Sequence, residues 1–216
     1  MISYLKTKFL QNYSIEKLGY FCFLAGIFFL ASAVGISIIF LLISVLITFL
    51  KPNRFFKDKW NYPLIISAVF MSISTFNHFQ RYEQYLEIGI EPNLSLIGLA
   101  NWIPFFLCFW GFQNYLNSPK KRLLCSRLLI SGSIPVIFSG ILQIFNINGP
   151  FESFFGLIIW FQKPLSDVGS LSGLFNNQNY AGLWMAIVWP FCLSEFIKPK
   201  RKLIKKITLF VISITF

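Results

Sequence analysis

The sequence has little charge, a single histidine (His78) and no paired cysteines. Charged residues make up 12% of the chain, about half the share found in soluble domains, and Asp and Glu together number 8. So few charges cannot cover the surface of a soluble globule. The four cysteines form no Cys-x-x-Cys pair and have no histidine nearby, so they indicate neither a disulfide framework nor a zinc site. We therefore expect no metal ion and no cofactor.

Apolar residues are abundant instead, at 56% of the chain, and the Lys and Arg residues lie in short blocks between apolar runs. In a soluble protein, a net charge of +11 would suggest nucleic acid as a partner. Basic blocks between apolar runs are typical of the cytoplasmic loops of a membrane protein. The predicted partner is accordingly the lipid bilayer, and we expect no nucleic-acid binding.

The apolar runs predict an all-α fold, a polytopic transmembrane helical bundle with about six complete spans and a truncated seventh. In this prediction residues 1–216 form one transmembrane domain. The predicted spans are residues 18–32, 34–50, 62–76, 96–116, 128–147, 180–197 and, incompletely, 207–216. A membrane protein rarely ends after half a span, so we expect this chain to be the N-terminal part of a longer architecture.

The first apolar run, residues 18–50, contains no charge and is too long for one upright span. As one helix it would extend about 50 Å, whereas the hydrocarbon core is about 30 Å thick. A strongly tilted helix and a signal peptide cleaved after Ala31-Ser32-Ala33 are the alternatives. Basic residues on both sides favour a tight pair of spans with a turn at residues 31–35.

The basic blocks also predict an orientation. All Lys and Arg except Arg81 and Lys163 lie in residues 1–17, 51–61, 117–127 and 198–206. Positive charge concentrates on the cytoplasmic side of membrane proteins. We therefore expect a multi-pass protein of the cell inner membrane, with its N-terminus in the cytoplasm and residues 148–178 outside.

That outer loop contains FESFFGLIIWF, residues 151–161, which is too short to span a membrane. We expect it to lie in the outer interface with Trp160 at the headgroup level, or else to re-enter the bilayer. Glu152 and Asp167 are the acids of this loop, and a solvated loop is favoured over acid–base chemistry. Near the inner end of its span, Glu195 is expected to pair locally with Lys198.

The most informative segment is GLFNNQNYAGLW, residues 173–184, where the chain returns to the membrane from outside. Its amides exceed what a helix cap requires, although Asn179 alone is a plausible N-cap. A helix N-terminus facing outward carries free N–H groups and a positive partial charge, which favours an anion. We predict that the segment binds a lipid diphosphate or a sugar. The predicted binding residues are Gly173, Asn176, Asn177, Asn179 and Gly182.

The same segment resembles the glycine–x–x–asparagine–proline–asparagine signature of the O-antigen ligase and polymerase superfamily. Gly173, Asn177, Asn179 and Gly182 match that pattern, and the span that follows contains Pro190. Two positions differ. Gln178 stands where the family usually has proline, and Ser170 stands where many members have an arginine.

The resemblance implies a membrane glycan ligase or polymerase that transfers glycan from a polyprenyl diphosphate without a metal ion. It also implies that the arginines and histidine for the chemistry lie in a loop beyond residue 216. The catalytic residues of this chain are therefore unknown, and its status as an enzyme is open. The alternatives are a transport-related or accessory protein of the same superfamily, resembling members linked to bicarbonate accumulation, and a non-catalytic remnant.

Overall fold

The computed structural model describes residues 2–50, 58–81, 83, 84, 91, 93–165 and 169–197, with side chains from residue 15 onward. The described chain is mostly helical. It divides into two compact units, the first made of residues 1–19 and 44–115 and the second of residues 20–43 and 116–216. The single transmembrane domain stays a prediction. The predicted span 207–216, the basic blocks at 51–57 and 198–206, and Asp167 lie outside the described residues.

Seven α-helices and two strands are formed in the described ranges. The helices are α1 Ile2–Phe29, α2 Val34–Phe49, α3 Tyr62–Gln80, α4 Leu94–Gln113, α5 Pro119–Gly132, α6 Ile134–Ile144 and α7 Gln178–Ile197. The strands are β1 Phe151–Ser153 and β2 Ile158–Trp160, and a short 3-10 turn, Lys59–Asn61, precedes α3. The strands depart from the all-α prediction.

Within the described residues, three segments are long and apolar enough to cross a membrane. They are Leu94–Gln113, Pro119–Ile144 (α5 and α6 taken together) and Gln178–Ile197, and Val34–Phe49 is a shorter apolar helix. The 26 residues of Pro119–Ile144 extend about 39 Å at 1.5 Å per residue, enough for a tilted crossing. These helices are compatible with a membrane location, whereas a bundle of six or seven spans remains a prediction.

The first apolar run breaks into two helices at residues 30–33, which overlaps the predicted turn. The helices pack closely because one of the facing residues is a glycine. A Cβ at Gly26 would lie 2.6 Å from the Leu41 side chain, and Ser37 Oγ donates to the Gly26 carbonyl at 2.7 Å. Small residues and serine hydroxyls of this kind are common where membrane helices meet. Whether each helix crosses a membrane remains a prediction.

In the first unit, helix starts follow local capping rules and hydroxyl groups link the helices. Asp58 Oδ1 accepts from Trp60 N at 3.0 Å before α3. Thr48 of α2 donates to the Gly111 carbonyl of α4 at 3.2 Å, and Tyr115 Oη donates to the Ser44 carbonyl at 2.8 Å. Each hydroxyl therefore bonds to a helical carbonyl on a neighbouring segment.

In the second unit, the basic segment predicted as an inner loop is helical. Ser118 Oγ accepts from Lys121 N at 3.3 Å, and Pro119 occupies the first turn, so α5 begins nine residues before the predicted span. The helix is interrupted at Ser133, and α6 starts with Pro135 in its first turn. Pro135 therefore begins a helix, whereas Pro104 and Pro190 lie inside α4 and α7.

The predicted interfacial segment forms a β-hairpin. β1 and β2 pair antiparallel, with Phe151 opposite Trp160 and Ser153 opposite Ile158. The tip residues Phe154 and Phe155 have φ of 52° and 56°. A left-handed conformation costs a bulky side chain of order 1–3 kcal/mol, so this turn is strained at both aromatic residues.

Near the end of α7, Glu195 is 1% exposed, and its Oε2 lies 3.5 Å from Nε of Arg127 on α5. The carboxylate is therefore held against another helix. The predicted local pair of Glu195 with Lys198 stays a prediction, because Lys198 lies outside the described residues. A charge that is buried among apolar helices needs such a partner to offset its desolvation.

Candidate functional site

The asparagine segment forms a bend followed by the first turn of α7. Asn177 is the N-cap of this helix. Its Oδ1 accepts from Asn179 N at 2.7 Å, and its carbonyl accepts from Tyr180 N at 3.2 Å and from Ala181 N at 3.3 Å. The expectation that Asn179 caps the helix is wrong, because the helix begins at Gln178 and Asn179 lies inside its first turn.

Gly173 sits in the loop before this helix in a conformation that side chains rarely adopt. Its φ is +56°, and a Cβ there would lie 3.1 Å from the Val136 carbonyl oxygen. Its N–H donates to Oε1 of Gln143 at 3.0 Å. Glycine is therefore required at residue 173 by both the backbone conformation and the close approach to α6.

Gln143 of α6 holds this loop in place. The side chain is fully buried, and its Oε1 also accepts from Ser172 N at 3.2 Å. Its Nε2 donates to Ser172 Oγ at 3.1 Å and to the Lys163 carbonyl. One amide thus bonds to backbone groups of three loop residues, Lys163, Ser172 and Gly173, and to the Ser172 hydroxyl. A buried polar group of this kind stabilises the fold only when it is fully bonded.

A second buried amide, Gln162, supports the other side of the loop. Its Oε1 accepts from Ser139 Oγ at 2.5 Å, and its Nε2 donates to the Ile147 carbonyl. The backbone of Gln162 also accepts from Gly149 N at 3.0 Å. Our reading of the sequence missed both glutamines. For Gln143 a signal was present, since it is an amide within an apolar run.

An apolar cavity of about 250 Å³ lies beside this loop in the second unit. Gly173 forms part of its wall, as does Gly182 one turn into α7. Aliphatic residues of α6 and Met185 supply most of the remaining wall. Its size and lining suit an apolar chain or a small apolar group.

The structure brings the predicted residues together only in part. Gly173 and Gly182 share the cavity wall, whereas Asn176, Asn177 and Asn179 are exposed at the bend and the helix start. None of these asparagines lines the cavity. The candidate site is therefore a segment of ten residues, 173–182. It combines an exposed polar helix start with two glycines in the wall of the apolar cavity.

The remaining candidate residues lie apart from this segment along the chain. His78 is in the last turn of α3 in the first unit, and Glu152 is on β1, opposite Ile159. Within the part of the chain that the structure describes, no group of three or more His, Cys, Asp and Glu side chains could hold a metal ion.

Comparison of this chain with protein-family models, curated proteins and solved structures finds no significant match. The resemblance of residues 173–190 to the O-antigen ligase and polymerase superfamily therefore stays a prediction.

Proposed function

We propose that this chain is a glycan ligase-like or polymerase-like protein of the cell inner membrane. Its role would be to bind a polyprenyl-diphosphate-linked sugar at the outer face, in lipopolysaccharide or polysaccharide biosynthesis. The supporting observation is the pairing of two chemistries in one short segment. Gly173 and Gly182 line an apolar cavity, and three exposed asparagines lie between them in the chain.

A lipid diphosphate needs both chemistries, since its chain is apolar and its head is anionic. The backbone N–H of Asn179 is already bonded to Asn177 Oδ1. The proposed donors to the diphosphate are therefore the side-chain amides of Asn176 and Asn179, assisted by the positive partial charge of the α7 N-terminus. The cavity wall at Gly182 would contact the first part of the lipid chain.

The substitution Asn179→Asp separates ligand binding from helix formation. A carboxylate in the first turn of α7 is favoured by the helix dipole, by about 0.3–1 kcal/mol, so the folded protein should be as stable as wild type or slightly more. The same carboxylate repels a diphosphate and loses a donor, so affinity should fall roughly 10- to 150-fold. The measurement is binding of a synthetic polyprenyl diphosphate bearing one hexose to protein in nanodiscs, with thermal stability followed in parallel.

The matched control is Asn93→Asp, which adds the same charge at the start of α4, outside the proposed site. It should leave affinity unchanged. A polyprenol without the diphosphate should bind wild type and Asn179→Asp equally. If Asn179→Asp binds the diphosphate ligand as tightly as wild type does, the proposed site is refuted and the segment is a capped helix only.

The proposed outer location is tested by labelling single cysteines, placed at Asn117 and Ser170 in a cysteine-free background. Both residues are exposed and lie beyond opposite ends of Pro119–Ile144 along the chain. A maleimide that cannot cross membranes should label position 170, and not position 117, in intact spheroplasts. The reverse pattern would place the asparagine segment in the cytoplasm and exclude the proposed function.

A further inference from the structure

The tip of the β-hairpin presents two neighbouring aromatic side chains away from the protein. Phe154 is 68% exposed, and Phe155 is fully exposed, at 107% of the reference area. Both have positive φ, and Gly156 follows with a φ of 80°. A tight turn with positive φ favours glycine or asparagine, yet this turn has phenylalanine at both positions. Neither phenylalanine is buried against the described part of the chain, so packing there does not explain the choice.

The hairpin is bonded to the rest of the second unit both at its base, through Trp160, and at Leu157, the last residue of the turn, so Phe154 and Phe155 are the residues that project. Trp160 Nε1 donates to the Ser32 carbonyl at 2.7 Å, and Gly35 N donates to the Leu157 carbonyl at 3.2 Å. The indole N–H of Trp160 is thus bonded within the protein, and the expected position of Trp160 at the headgroup level stays a prediction.

The position of the hairpin in the chain indicates what surrounds the tip. Two candidate membrane-spanning segments flank it, one ending at Ile144 and the other beginning at Gln178. Phe151 follows Ile144 by only seven residues, so a membrane crossing by the first of these segments would put the hairpin close to the surface at which that segment ends. Aromatic side chains partition favourably into that interfacial layer.

We propose that Phe154 and Phe155 insert into the lipid at this surface and anchor the hairpin at a fixed depth. The partner is the boundary between the lipid headgroups and the acyl chains. The base of the hairpin is also bonded to the candidate site. Phe161, the residue after β2, donates its N–H to the Leu174 carbonyl at 3.0 Å, beside Gly173. This inference does not rest on the glycan proposal, because it requires only that the flanking helices cross a membrane.

The test measures contact with lipid next to the tip while both aromatic residues are kept. A fluorophore is attached to a single cysteine at Ser153 in protein reconstituted into phosphatidylcholine vesicles. Phosphatidylcholine brominated on its acyl chains should quench this fluorophore about threefold more strongly than it quenches a fluorophore at Ser170, an exposed position outside the hairpin. Iodide in the water should show the opposite order.

The decisive variant is Phe154→Asn combined with Phe155→Gly, which removes the aromatic side chains and suits the left-handed turn. Its thermal stability in detergent should equal or exceed that of wild type, so a folding defect would not explain the result. Lipid quenching at Ser153 should fall to the level seen at Ser170. Unchanged lipid quenching in this variant would overturn the proposal. Protection of the wild-type fluorophore from both quenchers would also overturn it, since that result indicates a protein contact.

Discussion

The two units of this protein use buried polar side chains in different ways. In the first unit, hydroxyl groups such as those of Thr48 and Tyr115 bond to carbonyls of helices that already have their own hydrogen bonds. In the second unit, the amides of Gln143 and Gln162 bond to backbone groups of a loop that has little regular structure. The first arrangement adds hydrogen bonds between helices. The second supplies the loop backbone with hydrogen-bond partners that regular secondary structure would otherwise provide.

The difference follows from what an apolar environment demands of the backbone. A helix satisfies its own N–H and C=O groups, but a loop packed against apolar helices requires outside partners. Outside the two strands, the described residues 145–165 and 169–177 form such a loop, and Gln143 and Gln162 are the buried glutamines within the described residues. Three predictions test this comparison, beginning with the largest expected effect.

The substitution Gln143→Leu should cause the largest loss of stability. It leaves the N–H groups of Ser172 and Gly173 without their acceptor, and each buried unsatisfied group costs about 1–3 kcal/mol. The free energy of unfolding in detergent should therefore fall by about 2–6 kcal/mol, as measured by denaturant titration. The matched variant in the first unit is Gln113→Leu, which removes one side-chain bond to Asn61 and should cost about 0.5–1.5 kcal/mol. Equal losses in the two variants would contradict the comparison.

Glycine-to-alanine substitutions compare helix contacts in the two units, with an intermediate expected effect. In the second unit, a Cβ at Gly132 would overlap the Phe28 carbonyl oxygen, which is backbone and cannot move aside easily. Gly132→Ala should therefore lower stability by about 1–3 kcal/mol. In the first unit, a Cβ at Gly111 would lie 3.3 Å from the Val45 side chain, so Gly111→Ala should change stability by less than about 1 kcal/mol.

Gly98 is the control for these variants, because a Cβ there has no neighbour within 4 Å. Gly98→Ala should raise stability by about 0.5–1 kcal/mol through helix propensity alone. Thermal denaturation of the three proteins in the same detergent is the measurement. A loss for Gly132→Ala no greater than that for Gly111→Ala would show that the α1–α5 contact adjusts.

Removing hydroxyl groups should give the smallest effects, and similar ones in both units. Tyr115→Phe removes the donor to the Ser44 carbonyl, and Ser37→Ala removes the donor to the Gly26 carbonyl. Each should cost about 0.5–1.5 kcal/mol, since an ordinary hydrogen bond contributes about that much. Differential scanning fluorimetry checks this result. If either variant lost as much stability as Gln143→Leu, the hydroxyl hydrogen bonds would stabilise the fold as strongly as the buried amide does, which contradicts the comparison.

Sequence reasoning located several elements well because the signals were local. The break near residues 30–33 follows from an apolar run too long for one span, and the start of α7 follows from a cluster of residues that favour helix caps. It missed the extension of α5 to Pro119, because basic residues were taken to indicate a loop. Lys and Arg are good helix formers, and Ser118 followed by proline is a helix-start signal.

The candidate site was predicted as a segment, but its internal roles were not. Exposure of Asn176 and Asn179 is consistent with the proposed binding role, while Asn177 was found to be the helix cap. The choice between Asn177 and Asn179 as the cap depends on where the helix begins. Two asparagines so close in sequence have the same intrinsic preference for a cap position, so the sequence alone does not distinguish them. The cavity beside Gly173 and Gly182 depends on how α6 and α7 pack, which no local pattern contains.

By itself, the sequence determined that the chain is helical, apolar and unequally charged along its length, because helix formation and membrane preference depend on residues close together in the chain. Only the tertiary structure decided that Gln143 bonds to Ser172 and Gly173, about thirty residues later, and that two phenylalanines project from a strained turn. Those features arise from packing between distant segments, where a backbone group must find whichever partner the fold brings within hydrogen-bonding distance.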